Sequence, residues 1–415
     1  MKRLLLTSLA AGLLASAAQA QPTIEAVLDV TAGANSAWGA FALAPNTFVA
    51  TPDSEAIAAA NGRVFLQNGS DTSDGDGDGV LSFNPASPKT DFTFMVRGSA
   101  NAADDGQSPT PFNLEFMLLN SGAFSTIRPG GEGFEGMVAD AAGNVYIALL
   151  GAGGAAIVRI DASSDLNGTG SGSVLTSAVP GIVGLAINGN IIYALLHADS
   201  GATEDQVVSI LADGGTGQVP TVVFTQAQLA AAGLGGLGLG GTSRVNGIET
   251  DGEYLFVSSR FGGIARLKLS DGTGNMMVTN ADIAALFNPG EFTNRLADES
   301  VAFAAYNDLL YVATFDSDPL DPTLEFSDFY NIVCFNPNDP LATLSLFVTE
   351  ADIETNPSYI ADIAGGEIEN QSRGLAVLGE WLYLSLEQGN SNTDSVVRAR
   401  LTEPASVGSW ELLSY

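Results

Sequence analysis

A short motif recurs six times along the chain and constrains its fold more than any other feature. Each copy is a short apolar strand, a tight turn, and a second strand rich in aromatic and β-branched residues. The turns carry Gly, Asn or Asp, which tolerate the positive φ of two-residue hairpins. The copies begin Glu55-Ala56-Ile57-Ala58, Glu135-Gly136-Met137-Val138, Val183-Gly184-Leu185-Ala186, Asn246-Gly247-Ile248-Glu249, Glu299-Ser300-Val301-Ala302 and Arg373-Gly374-Leu375-Ala376. A chain that repeats one hairpin in this way is predicted to repeat one structural unit.

Further strands follow several of these hairpins. Third strands are predicted at 156–161, 206–211, 264–269 and 395–401. Fourth strands end at Thr225, Thr279 and Thr349, each followed three residues later by Gln or Asp, which is the spacing of a capped helix start. Four antiparallel strands repeated around a ring form a β-propeller. A β-sandwich is the alternative, but its strands do not recur as near-identical four-strand units.

The spacing of the copies bears on the number of blades and on ring closure. We predict a single all-β domain, a β-propeller of six four-stranded blades, over residues 21–415. Seven blades is the alternative, because 112–119 also reads as a strand. A strand at 24–30 or at 47–50 precedes the first copy and is expected to pair with the last blade. That pairing closes the ring through the termini and removes an exposed sheet edge.

Residues 1–20 have the pattern of a secretory signal peptide. Lys2 and Arg3 precede an apolar run, and Ala18-Gln19-Ala20 matches a small-residue cleavage site. The chain is therefore expected to be exported, to the periplasm or the cell exterior. The apolar run is too short to span a membrane, and no later run reaches about 18 residues. Cys334 is the single cysteine and is expected to be a small buried core residue.

The net charge of the chain limits the kinds of molecule that it is expected to bind. The chain has 47 acidic and 15 basic residues, a formal net charge of −32. Nucleic-acid binding is disfavoured, because it depends on stripes of Lys and Arg. Antiparallel strands place the start of each first strand and the loop between second and third strands at the same face. That face is strongly acidic, so a protein, a surface polymer or a small-molecule ligand is the expected partner.

One loop of this face has the spacing of a calcium site. Asp74, Asp76 and Asp78 alternate with glycine, as in the first half of an EF-hand loop, and Asp71 lies just before them. The twelfth position is Pro85 instead of Glu, so a compact calcium loop within a hairpin fits better than an EF-hand. A solvated acidic turn without metal is the alternative.

The repeat also resembles known families. The segments 133–138 and 143–147 are similar to those of secreted calcium-dependent six-bladed propellers, namely gluconolactonase/senescence-marker-type lactonases and phytase-like esterase propellers. In the lactonases, Glu, Asn and Asp at the starts of the innermost strands hold a divalent cation. The resemblance implies a cation held at the channel mouth by Glu55, Glu135, Asn246 and Glu299.

Two functions follow from these observations. The first is a calcium-binding, non-catalytic interaction module that acts through its acidic face. The alternative is a metal-dependent hydrolase of lactone, ester or phosphoester class, with Glu135, Glu299 or His197 as catalytic candidates and Arg373 orienting the substrate. The rim glutamates could instead pair with Arg373 and backbone groups around the channel. The GxGxxG match at 233–238 does not follow a strand, so it does not predict a dinucleotide site.

Overall fold

The computed structural model describes residues 22–28, 56–68, 79–88, 91–97, 134–151, 154–164, 172–177, 179–198, 202–241, 245–287, 303–314, 331–349, 352, 374–386 and 395–401. These residues form six four-stranded antiparallel sheets arranged as a six-bladed β-propeller. The predicted fold and the choice of six blades are therefore confirmed. The segment 112–119 lies outside the described residues. No described helix is long and apolar enough to cross a membrane.

The blades are numbered in chain order, and strands are given from the innermost outward. Blade 1 is β2 Ile57–Ala60, β3 Arg63–Asn68, β4 Gly79–Phe83 and β5 Phe92–Arg97; blade 2 is β6 Phe134–Ala139, β7 Val145–Gly151, β8 Gly154–Ile160 and β9 Gly172–Val174. Blade 3 is β10 Ile182–Asn188, β11 Ile191–Leu196, β12 Gln206–Leu211 and β13 Thr221–Phe224; blade 4 is β14 Val245–Thr250, β15 Tyr254–Ser259, β16 Gly263–Lys268 and β17 Gly274–Val278. Blade 5 is β18 Phe303–Tyr306, β19 Leu309–Thr314, β20 Asn331–Phe335 and β21 Ser345–Thr349; blade 6 is β22 Gly374–Leu378, β23 Trp381–Leu386, β24 Ser395–Arg400 and β1 Ile24–Leu28.

The N-terminal strand completes the last blade. β1 pairs antiparallel with β24, and Glu25 accepts hydrogen bonds from the Arg398 guanidinium at 2.5 and 3.0 Å. The innermost strand β2 also contacts β22, so the first and last blades are neighbours. Of the two candidate closing strands, the one beginning at residue 24 is the one that pairs; the segment 47–50 lies outside the described residues.

The core lies between blades, in layers of side chains from facing sheets. A glycine in the motif allows the innermost strands to approach closely. A Cβ added to Gly136 would lie 2.9 Å from the backbone nitrogen of Leu185, and one added to Gly374 would lie 2.6 Å from that of Ile57. Such distances are shorter than carbon atoms tolerate, so the recurring glycine is required for packing at these two positions.

In every blade, one residue of the first strand pairs with the aromatic residue of the second strand. We call this residue the common position of the motif. It is occupied in chain order by Ala58, Val138, Ala186, Glu249, Ala304 and Ala376. The sequence alignment had placed Ala302 there in the fifth copy, and this is wrong by two residues. The shift arises because the fifth hairpin turns at Asn307 and Asp308 directly after Tyr306. Glu299 therefore precedes the common position by five residues, whereas Asn246 precedes it by three.

Short helices follow two of the fourth strands, as the threonine spacing predicted. They are α1 Gln226–Ala231 and α2 Asn280–Ala284, with capping boxes at Thr225 and Thr279. Thr349 and Asp352 form the same reciprocal hydrogen bonds at 2.9 and 3.2 Å. A third helix, α3 Pro340–Thr343, was not predicted; it begins with proline in the turn between β20 and β21. Cys334 is buried as expected.

Candidate functional site

Strand direction defines two faces of the propeller. Ile182 at the start of β10 pairs with Leu196 at the end of β11, and Leu196 also pairs with Gln206 at the start of β12. The loop between the second and third strands therefore lies beside the start of the first strand, as predicted. We call this side the upper face. The fourth strand of each blade also ends there, so the connections between blades begin and end at the upper face.

The connections that begin and end at the upper face contain most of the acidic residues. Its connections are 29–56, 69–78, 98–133, 152–153, 175–181, 197–205, 225–244, 260–262, 279–302, 315–330, 350–373 and 387–394. They hold 31 of the 47 acidic residues but only 5 of the 15 basic ones. The turns at the opposite, lower face, together with the chain beyond residue 400, hold 13 acidic residues and 1 basic residue.

Most of the predicted ligands lie outside the described residues. These are Asp71, Asp74, Asp76 and Asp78 of the predicted calcium loop, and Glu55 and Glu299 of the predicted channel-mouth site. Arg373, the predicted substrate-orienting residue, also lies outside them. Glu135 lies in β6, and its side chain is not described. No group of three His, Cys, Asp or Glu side chains positioned for a metal occurs in the part of the chain that is described.

Asn246 is the rim residue whose side chain is described. It is buried, and its Oδ1 accepts a hydrogen bond of 2.6 Å from the Ser258 hydroxyl. Asn246 occupies a register shift between Val245 and Gly247, and similar shifts occur at Val183 in β10 and around Glu135 in β6. Bulges of this kind bend a strand and redirect side chains. The residues that begin three of the six motif copies thus coincide with irregularities of the innermost strands.

His197 belongs to a buried network on the upper face. Its Nδ1 lies 2.7 Å from Asp205 Oδ1, and both side chains are at most 2% exposed. Asp205 also accepts hydrogen bonds from the backbone nitrogens of Ala198 at 3.0 Å and Gly238 at 2.5 Å. Burial alone would raise the pKa of Asp205, but the hydrogen bonds from His197, Ala198 and Gly238 outweigh it and hold this pKa below its ordinary value. Since the carboxylate accepts, His197 donates through Nδ1.

This network explains the glycine-rich segment. Gly238 is the last glycine of the GxGxxG match, and its nitrogen fastens the segment 233–241 to the loop 197–205 through Asp205. The Asp205 nitrogen donates in turn to Gln226 at the start of α1, at 3.2 Å. The glycines therefore form a compact connection between blades 3 and 4. The prediction that they are not a dinucleotide site stays untested.

Glu249 is a candidate functional residue that was not predicted from the sequence. It is partly buried on β14, at the common position where the other motifs have Ala or Val. Its Oε1 accepts a hydrogen bond of 2.8 Å from the Thr250 nitrogen. Burial raises the pKa of Glu249 to about 7; the Thr250 hydrogen bond opposes this, and the nearby Asp251 charge adds to it. The sequence does contain a signal for it: Glu249 is the one acidic residue at a position where the other motif copies have Ala or Val.

Comparisons with known proteins give no match in sequence and only distant likenesses in structure. No protein-family model matches the chain, and no curated protein shows significant sequence similarity to it. Similar solved structures are β-propellers. A computationally designed protein, Ika8, is 10% identical, with 83% of this chain and 70% of that chain covered and a TM-score of 0.35. YCF48 bound to D1 peptide is 8% identical, with 86% and 79% covered and a TM-score of 0.40.

A third similar structure is a puromycin-hydrolyzing peptidase from Mycobacterium tuberculosis. It is 15% identical, with 92% of this chain and 55% of that chain covered and a TM-score of 0.43. This chain therefore spans about half the length of the peptidase. At these identities and TM-scores, the likenesses carry no information about activity, substrate or partner.

Proposed function

We propose that this protein is an exported, calcium-loaded β-propeller that acts as an interaction module through its upper face. The observation that carries the proposal is the strand polarity: the connections that begin and end at the upper face contain 31 of the 47 acidic residues. A dense array of carboxylates on one scaffold face attracts cations and positively charged surfaces. The partner would be a protein or surface polymer with accessible positive charge.

Calcium has a specific part in this proposal. Carboxylates at Asp74, Asp76 and Asp78, aided by Asp71, would surround one hard cation and reduce repulsion within the loop. Export through residues 1–20 would deliver the chain to compartments where calcium is plentiful enough for such sites. Binding to the native state alone stabilises by about 2.7 kcal/mol when the ligand is a hundredfold above Kd.

The test combines calcium dependence with mapping of the bound face. Calcium should raise the melting temperature, and the double substitution Asp76→Asn with Asp78→Asn should remove most of that rise. Asp308→Asn, in a lower-face turn, is the matched control and should leave the calcium response unchanged. Amide hydrogen exchange with a decalysine peptide should then show protection in upper-face connections. Protection confined to lower-face turns, or none at all, would contradict the proposed function.

A metal-dependent hydrolase is the second candidate, and one observation favours it. The register shifts at Glu135 and Asn246 lie at positions where cation ligands were predicted, and bulges often occur beside active sites. A cation held there by Glu55, Glu135, Asn246 and Glu299 would polarise a carbonyl or phosphoryl oxygen. Lactone or ester hydrolysis that is lost in Glu135→Gln and Asn246→Ala, but not in Asp308→Asn, would support this function over the first.

A further inference from the structure

Blades 4 and 6 carry the same charged cluster at their outer, lower corners. In blade 6, Arg398 lies 4.2 Å from the Trp381 ring centre, and Arg400 pairs with Glu380 at 3.0 Å. Strand register places four residues of blade 4 at the corresponding positions. They are Arg266 for Arg398, Tyr254 for Trp381, Lys268 for Arg400 and Glu253 for Glu380.

The two clusters also make corresponding contacts. Arg266 lies 5.2 Å from the Tyr254 ring centre, and Lys268 pairs with Glu253 at 3.4 Å. The clusters differ in the fourth strand. Arg398 of blade 6 is aligned with Glu25, whereas Arg266 of blade 4 is aligned with Asn275. A neutral amide thus stands where the other blade has a carboxylate.

Arg266 consequently has no ion-pair partner among the described residues. Its Nε donates to Asn275 Oδ1 at 3.0 Å, and its Nη1 donates to the backbone oxygen of Pro337 in blade 5 at 2.9 Å. These neutral acceptors hold the guanidinium in place without neutralising it. Four other described arginines do form ion pairs with carboxylates: Arg63, Arg159, Arg398 and Arg400.

A pocket of about 140 Å³ opens at this corner. Its lining combines two cations, an aromatic ring, a hydroxyl and an amide, and contains no carboxylate: Tyr254, Arg266, Lys268, Thr273, Gly274 and Asn275. The nearby Asp271 carboxylate is occupied by the turn, where it accepts from the nitrogen and the hydroxyl of Thr273 at 2.9 and 2.6 Å. The volume is several times the roughly 30 Å³ share of one water molecule, enough for a small acid group.

We propose that this corner of blade 4 is a binding site for the carboxylate of a small organic acid. The ligand's carboxylate takes the place that Glu25 fills in blade 6, with Arg266 Nη2 and Lys268 Nζ as donors and the Tyr254 ring as a wall. Charge-assisted hydrogen bonds of this kind are the strong ones in proteins. The net charge of −32 does not prevent binding, because exposed charges beyond about 8 Å are screened at physiological ionic strength. This site is at the lower face and does not depend on the proposed function of the upper one.

Succinate is a suitable probe. It is titrated into the protein while chloride is reduced to keep the ionic strength constant. We expect saturable shifts of the backbone amide signals of Thr273, Gly274 and Asn275 in NMR spectra. Asn275→Glu supplies the blade 6 carboxylate internally and should weaken succinate binding at least about tenfold, because the added carboxylate competes for the same donors. Arg266→Gln should weaken it similarly, and Arg63→Gln in blade 1 should have no effect.

The reverse substitution in blade 6 gives an independent check. Glu25→Gln removes the internal carboxylate from Arg398, so succinate should now also shift amide signals around that residue. The proposal is overturned if wild-type shifts do not saturate, or if Asn275→Glu binds succinate as tightly as the wild type. Since Asn275→Glu adds an ion pair to an exposed corner, it is expected to fold, and it keeps the proposal testable should Arg266→Gln be unstable.

Discussion

Glu249 should make the stability of the propeller depend on pH in a direction opposite to that of an ordinary paired carboxylate. Burial raises its pKa to about 7 in the folded chain, compared with 4.5 for an ordinary glutamate. The folded state therefore binds the proton more tightly than the unfolded state. Stability from this group is present at low pH and falls as pH rises from about 4.5 to about 7. Each pKa unit corresponds to about 1.4 kcal/mol, so the loss is up to about 3 kcal/mol.

Glu249→Gln isolates this effect. Glutamine has the same shape, and its side-chain oxygen can still accept from the Thr250 nitrogen. We expect similar free energies of unfolding for variant and wild type at pH 4.5. At pH 8 the variant should be more stable by up to about 3 kcal/mol, because the wild type must keep a charged group in a partly buried position.

Urea denaturation at pH 4.5 and pH 8, at equal ionic strength, measures the difference. Other titrating groups cancel when the variant is compared with wild type at each pH. Glu253→Gln is the matched control, because Glu253 lies on the same hairpin with a side chain 62% exposed and should show little pH-dependent difference. If the stability difference between Glu249→Gln and wild type is the same at both pH values, the burial argument for Glu249 is refuted.

Three further predictions concern the fold. Gly374→Ala should lower the free energy of unfolding by about 1–3 kcal/mol in chemical denaturation, since its Cβ would lie 2.6 Å from the Ile57 nitrogen; a matched Gly379→Ala, with nothing within 4 Å but φ +62°, tests strain without the clash. Removal of residues 21–30 should expose the edge of β24 and cause aggregation or a lower melting temperature, and a monomer of unchanged stability would contradict closure by β1. Thr279→Ala should cost about 1 kcal/mol by removing the cap of α2, whereas Thr279→Ser should cost much less.

The six-bladed architecture could be predicted from the amino-acid sequence. Six copies of a strand–turn–strand motif, with turn residues suited to hairpins, were enough to predict a six-bladed propeller and its closure by an N-terminal strand. The capping threonines located α1 and α2, because a cap depends only on residues three apart. Strand polarity, which follows from antiparallel order alone, also predicted that the long acidic connections begin and end at one face.

Which residues of different copies lie side by side became clear only from the folded ring. The two-residue error in the fifth motif came from aligning small residues that look alike, whereas pairing with Tyr311 fixes Ala304 as the true equivalent. The network around Asp205 joins segments 33 residues apart, so no local pattern predicted it. The role of Asn275 becomes clear only when blades 4 and 6 are compared by register, because Asn275 then occupies the position of Glu25, which lies near the N-terminus. Local patterns specify strands and turns because these depend on neighbours in sequence; burial, pKa and charge balance depend on neighbours in space, which only the closed ring supplies.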